Sequence, residues 1–221
     1  MKITIMGGGG VVGSSAAFRI AQEGLASEIV LVDARENMAK AHALDIEQAV
    51  VHRSTTQVKA GGIEETKDSN VVLIAVGVLG LSASQPSRLS QFEDNIAILK
   101  DLMKPLISYS PSALWMMATV PLDPIIYLFH KHFSIPRQKM IGVNRNDTSR
   151  FRWAIGKILS VPAPSVEAFV LGEHGETQVP LFSSIRIRGE RISLTPEQVE
   201  QIRNQGMDCY KALGLRLDAK N

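Results

Sequence analysis

The sequence predicts an α/β fold: a doubly wound parallel sheet with helices on both faces, followed by a partial α+β region. Three observations carry this. Short apolar runs alternate with runs of helical spacing over the first 133 or so residues. The short runs are apolar throughout rather than every second residue, as strands covered on both faces require. Beyond Ile141 the texture changes to one helical run, several short extended stretches and a second helical run.

Taken in order, "KITIM" reads as a buried strand and "SSAAFRIAQEGL" as a helix ending at Gly24. "EIVLVD" is a second strand, and "NMAKAHALDIEQAVV" has helical spacing. "VVLIAVG" follows the turn-like "KDSN" as a third strand. "LSQFEDNIAILKDLMKPLISYS" predicts a long helix interrupted near Pro105, since proline removes an amide donor and crowds the preceding turn. "ALWMMAT" is a further strand, and "DPIIYLFHKHF" a helix. In the second region, "NDTSRFRWAIGKIL" reads as a helix and "VEAFVLGEHGETQVPLFSSIRIRG" as strands and loops. "TPEQVEQIRNQGMDCYKALGLRL" reads as a helix with Thr195 as its N-cap and Pro196 at its first position. The division predicted is 1–142 for the parallel-sheet domain and 143–221 for an incomplete second domain.

Composition narrows the function classes. The 221 residues are 45% apolar and 21% charged, a globular balance. A formal net charge of +2, with no dense basic run interleaved with aromatics, argues against nucleic acid or a membrane surface as partner. Cys209 is the only cysteine, so no internal disulfide and no zinc-type spacing exists. The opening "MKITIMGGGG" does not read as a signal peptide, and no run reaches membrane-spanning length; a cytoplasmic protein is the expectation. No metal site is predicted, and His130 and His132, two apart, fall on different helix faces.

The most informative stretch is "MGGGGVVGSS". It holds G-x-G-x-x-G as Gly8, Gly10 and Gly13, with Val11 and Val12 between the last two, and Gly7 just before. A strand precedes it, a helix follows, and Asp33 closes the next strand twenty residues beyond Gly13. Glycines permit a tight turn and close approach of a pyrophosphate, and a helix N-terminus offers unpaired N–H groups and a positive dipole end. Asp33 would accept hydrogen bonds from a ribose and disfavour an added phosphate, which points to NAD; Arg35 lies close by. The first domain is therefore expected to be of Rossmann type. A plain tight turn within an α/β domain is the alternative.

The second region holds "DTSRFR" and "GEHGETQVP". With "MKITIMGGGGVVGSS", "EIVLVD" and the helix near Asn95, these blocks resemble the L-lactate/L-malate dehydrogenase family, in its order and at roughly its intervals. The resemblance implies an NAD-dependent oxidoreductase that moves a hydride between NAD(H) and a small 2-hydroxy or 2-oxo acid. It implies His174 as proton donor and acceptor, Asp147 orienting that imidazole, Arg150 gripping the substrate carboxylate and Arg88 closing over the substrate. Histidine suits the role because its ordinary pKa lies near neutrality. Arg150 sits three residues after Asp147, on a shared helix face. Gly77, Asn95, Thr119 and Val120 join the glycine loop and Asp33 as implied cofactor contacts, and a homodimer or homotetramer is the implied assembly. Each residue taken singly also has an ordinary reading: His174 a loop residue, Asp147 a helix cap, Arg150 and Arg88 solvated charges.

Three departures from the family pattern stand out. "TVPLD" carries Val120 where the family usually has an asparagine that hydrogen-bonds the reacting oxygen. The Gly77–Arg88 segment reads as about two residues longer than usual, with no arginine before Arg88 to hold a second carboxylate. The chain ends at Asn221, where relatives continue, so the second domain is expected to be incomplete. The first and third leave a second expectation open: a relative that keeps the fold and dinucleotide binding without turnover.

Overall fold

A computed structural model describes residues 1–78, 88–172 and 177–206, with backbone alone at 88–91 and 206. These form two units, Met1–Val143 and Asn144–Asn221.

The first unit is built on a six-stranded sheet. Its strands are β1 (Lys2–Met6), β2 (Glu28–Val32), β3 (Gln57–Ala60), β4 (Val71–Ile74), β5 (Leu114–Met117) and β6 (Met140–Gly142). Their spatial order is β3-β2-β1-β4-β5-β6, and every pair is parallel. The order reverses between β1 and β4, so the carboxyl ends of those strands flank a crevice, the usual ligand position in open α/β sheets. Helices α1 (Val11–Gln22), α2 (Glu36–Val50), α3 (Arg88–Tyr109) and α4 (Leu122–Phe133) make the crossovers. Two apolar cores result, one on each side of the sheet. Ile3, Ile5, Ile29 and Leu31 pack with Ala17 and Ala21 of α1 and Ala39, Ala43 and Ile46 of α2. Val30, Val72, Ile74 and Trp115 pack with Leu99, Met103 and Leu106 of α3 and Ile125 and Phe129 of α4. Neighbouring strand residues thus point into opposite cores, which explains the unbroken apolar runs.

Among the described residues, the second unit holds α5 (Asn146–Leu159), five two-residue strands and α6 (Pro196–Gly206). The strands are β7 (Val166–Glu167), β8 (Val170–Leu171), β9 (Val179–Pro180), β10 (Arg186–Ile187) and β11 (Glu190–Arg191). They pair antiparallel, as β11-β10-β7 and β8-β9. Phe151, Ala154 and Ile155 of α5 form the core with Val166, Ile185 and Ile202. A reciprocal cap starts α6: Thr195 Oγ1 accepts the Gln198 N–H at 3.3 Å, while Gln198 Oε1 accepts the Thr195 N–H at 3.0 Å.

The sequence expectations need correction at several points. α3 runs through Pro105 without interruption. Leu99, Met103 and Leu106, all fully buried, clamp the helix to the sheet on both sides of the proline, and that packing outweighs the one forgone amide bond. α1 begins at Val11, earlier than "SSAAF" suggests. The sequence reading holds no strand at β3 or β6; both are short edge strands, of four and three residues.

Phe129, 1% exposed and stacked on Phe133 at 5.3 Å, anchors α4. Phe129→Ala is expected to lower stability by about 3–5 kcal/mol, measured by urea denaturation.

A charge cluster ties β3 to the turn after it. Lys59 Nζ lies 2.7 Å from Glu65 Oε2 and 3.0 Å from Glu28 Oε1. Its hydrogen bond holds the Glu65 carboxyl below the ordinary glutamate value of 4.5, and Glu65 and then Glu28 raise the Lys59 ammonium above 10.5. The folded state therefore binds the Glu65 proton less readily than the unfolded chain does. The stabilisation is present above the ordinary glutamate range and is lost as pH falls through the depressed value. On the alkaline side it is present below the ordinary lysine value and is lost as pH rises through the raised one. Glu65→Gln should flatten the acid limb of a stability-against-pH profile taken by urea titration, by a small amount because the pair faces solvent.

Candidate active site

The carboxyl edge of the sheet assembles the glycine loop. The Gly7 and Gly8 N–H groups donate to the Val32 carbonyl at 2.8 and 3.0 Å, so the loop continues the β1–β2 pairing by one step. The Gly10 N–H then donates to the Gly7 carbonyl at 3.0 Å and closes a tight turn into α1. Gly7 has φ +85°, and a Cβ on it would lie 2.6 Å from the Ala75 carbonyl oxygen. A Cβ on Gly13 would collide with the Gly7 carbonyl, so the first turn of α1 packs directly on the loop. Gly10 caps α1 with extended backbone and no side-chain hydrogen bond, and no acidic residue stands in the first turn. The first N–H groups of a helix have no partner within it. This end thus carries positive potential with no carboxylate of the helix's own first turn to cancel it, and it suits the diphosphate of a dinucleotide. Val11 and Val12 are exposed beside it.

Asp33 follows β2 and lies beneath the same loop, its side chain 11% exposed. Its Oδ2 accepts the Gly9 N–H at 2.9 Å; Oδ1 accepts the Arg35 N–H at 2.9 Å and Arg35 Nε at 3.4 Å. Arg35 Nη2 reaches on to the Gly9 carbonyl at 2.8 Å. Sequence reasoning put Arg35 nearby but missed that it joins the acid and the glycine loop; its position two residues after the acid was the available signal.

Across the crevice, Asn95 and Thr119 are 2% and 4% exposed. Asn95 Oδ1 accepts the Val78 N–H at 2.8 Å, and its Nδ2 donates to the Val120 carbonyl at 2.7 Å. The Thr119 hydroxyl donates to the Val76 carbonyl at 2.6 Å. Both side chains brace the segments leaving β4 and β5. Gly77 is exposed between those braces, and Val120 is 42% exposed at the β5 end.

In the second unit Asp147 and Arg150 share one face of the first turn of α5, as their spacing predicts. Arg150 Nη1 donates to Asp147 Oδ1 at 3.1 Å, with the arginine 40% and the aspartate 13% exposed. An acid in a first helical turn is favoured by the dipole. Arg88 opens α3, and its side chain lies outside the described residues. His174, between β8 and β9 in the sequence, and Cys209, after α6, also lie outside them. No group of acidic, histidine or cysteine side chains able to hold a metal occurs among the described residues. No helix among them is long and apolar enough to cross a membrane.

Residues 1–142 match the family model for the NAD-binding domain of lactate/malate dehydrogenases. The chain belongs to the lactate/malate dehydrogenase family. It is 33% identical over 192 residues to an L-lactate dehydrogenase of Clostridium perfringens, covering 86% of this chain and 60% of that protein. An L-lactate dehydrogenase of Halalkalibacterium halodurans is 32% identical over 219 residues, with 96% and 69% covered. The chain thus spans 60% of the length of its Clostridium perfringens relative. Among solved structures it resembles a Cryptosporidium parvum lactate dehydrogenase complexed with lactic acid and nicotinamide adenine dinucleotide. The TM-score is 0.90 at 30% identity, covering 98% of this chain and 70% of that one. A Cryptosporidium parvum malate dehydrogenase gives a TM-score of 0.83 at 29% identity, with 93% and 68% covered.

Asn95→Ala would leave the Val78 N–H and the Val120 carbonyl without their shared partner. A loss of about 2–3 kcal/mol in urea denaturation is the expected result.

Proposed function

We propose that the protein uses NAD(H) to interconvert a small 2-hydroxy acid and its 2-oxo acid. The observation that carries this is the glycine-capped start of α1, free of acidic residues and packed through Gly13 onto the Gly7 carbonyl, with the Asp33 carboxylate under the same loop. NAD, when bound, supplies the hydride acceptor at its nicotinamide ring. The chain's own residues supply the rest. Arg150 pairs with the substrate carboxylate, for which a planar guanidinium offers two parallel hydrogen bonds. Asp147 already holds Arg150 and, in this reading, also orients His174. As the hydride leaves the carbon bearing the hydroxyl, the His174 imidazole takes the hydroxyl proton; in reduction it returns that proton to the carbonyl oxygen. Arg88 closes over the substrate and polarises the same oxygen. Assembly as a homodimer or homotetramer belongs to this reading and rests on the family alone.

A second reading is favoured by Val120. Its half-exposed side chain stands at the end of β5 and offers no hydrogen bond to a reacting oxygen. A relative that binds the dinucleotide and turns over slowly or not at all fits that residue. Loss of a single such contact lowers rates by about a hundredfold or more.

One experiment separates the two. NADH binding is followed by cofactor fluorescence, and NADH oxidation is assayed with pyruvate, oxaloacetate and branched 2-oxo acids. The first reading expects turnover that His174→Ala lowers by at least about a hundredfold while the NADH Kd stays put. NADH binding with no rate that depends on His174 establishes the second.

A further inference from the structure

Resting on the NAD reading of this site, we infer that Asp33 and Arg35 together form a subsite for a ribose 2′-phosphate, so that the protein accepts NADP(H) beside NAD(H). Two features that ordinarily make an acid at this position select NAD are weakened here. The first is acceptor capacity. A carboxylate has about four lone-pair positions, and Asp33 already receives the Gly9 N–H, the Arg35 N–H and Arg35 Nε. Little capacity remains for a pair of ribose hydroxyls. The second is charge. The guanidinium lies 3.4 Å from Asp33 Oδ1 and cancels the field that would repel a phosphate.

Arg35 also supplies what a 2′-phosphate needs. It is 51% exposed, whereas Asp33 is 11% exposed, so an incoming anion meets the cation first. Its bonds to Asp33 and the Gly9 carbonyl use Nε and one Nη2 hydrogen. A guanidinium carries five N–H groups in a planar fork suited to phosphate oxygens. The bond to Gly9 fixes that fork against the loop whose glycines approach the diphosphate, so the two phosphate positions are held by one short stretch of chain. Glu36, the nearest acid in sequence, lies 3.5 Å from Lys40 in an ion pair of its own.

The test is a fluorescence titration of the whole chain with NADH and with NADPH, supported by the shift each gives in thermal midpoint. In the unmodified protein the two Kd values should lie within about tenfold of each other. Arg35→Ala should raise the ratio of the NADPH Kd to the NADH Kd at least about tenfold, the scale of one charge-assisted hydrogen bond. Arg35→Lys, which keeps charge and loses the fork, should fall between. An NADPH-to-NADH ratio that Arg35→Ala leaves unchanged overturns the inference and leaves the NAD reading intact. Failure of both cofactors to bind the unmodified protein overturns both.

Discussion

Gly13 rests against the carbonyl of Gly7 with no room for a methyl group, and the nucleotide end of the first unit depends on that contact. It lets α1 begin within van der Waals distance of the strand that feeds it. The helix it admits starts from a glycine cap and carries no acidic residue in its first turn, so its own side chains add no negative charge to the backbone dipole there. It also brings the Gly9 amide over Asp33, which ties the end of β2 into the same structure. The helix dipole, the turn and the acid are therefore one device: a bulkier residue at position 13 would separate all three.

Much of this was legible in the sequence because the signals are local. An apolar run, a glycine turn, a helical run and an acid twenty residues on are neighbours along the chain, and each is required by the same ligand chemistry. The Asp147–Arg150 contact was legible for a similar reason, since three residues on a helix bring side chains together whatever surrounds them. The reciprocal Thr195–Gln198 cap is another case of short-range chemistry visible in the letters.

What was not legible depends on distance along the chain. β3 contributes one buried residue, Val58, and pairs with β2 only because α2 returns the chain to that edge. β6 is three residues long and is defined by its register on β5. Pro105 read as an interruption because local sterics say so, but the buried residues around it, chosen by the sheet beneath, kept the helix whole. Asn95 read as a cofactor contact, and only the fold shows it bonded to backbone 17 and 25 residues away. The bridge from Arg35 to Gly9 spans 26 residues, and the only local hint of it is the arginine's place two residues after Asp33.

The Asn95 bridge has a mechanical corollary. One side chain on α3 grips the backbone after β4 with its oxygen and the backbone after β5 with its nitrogen. A helix so attached acts as a common strut: the spacing of the two exit segments is set by one buried side chain on it. The helix that opens at Arg88 therefore also carries the fastening that holds Val78 and Val120 in place.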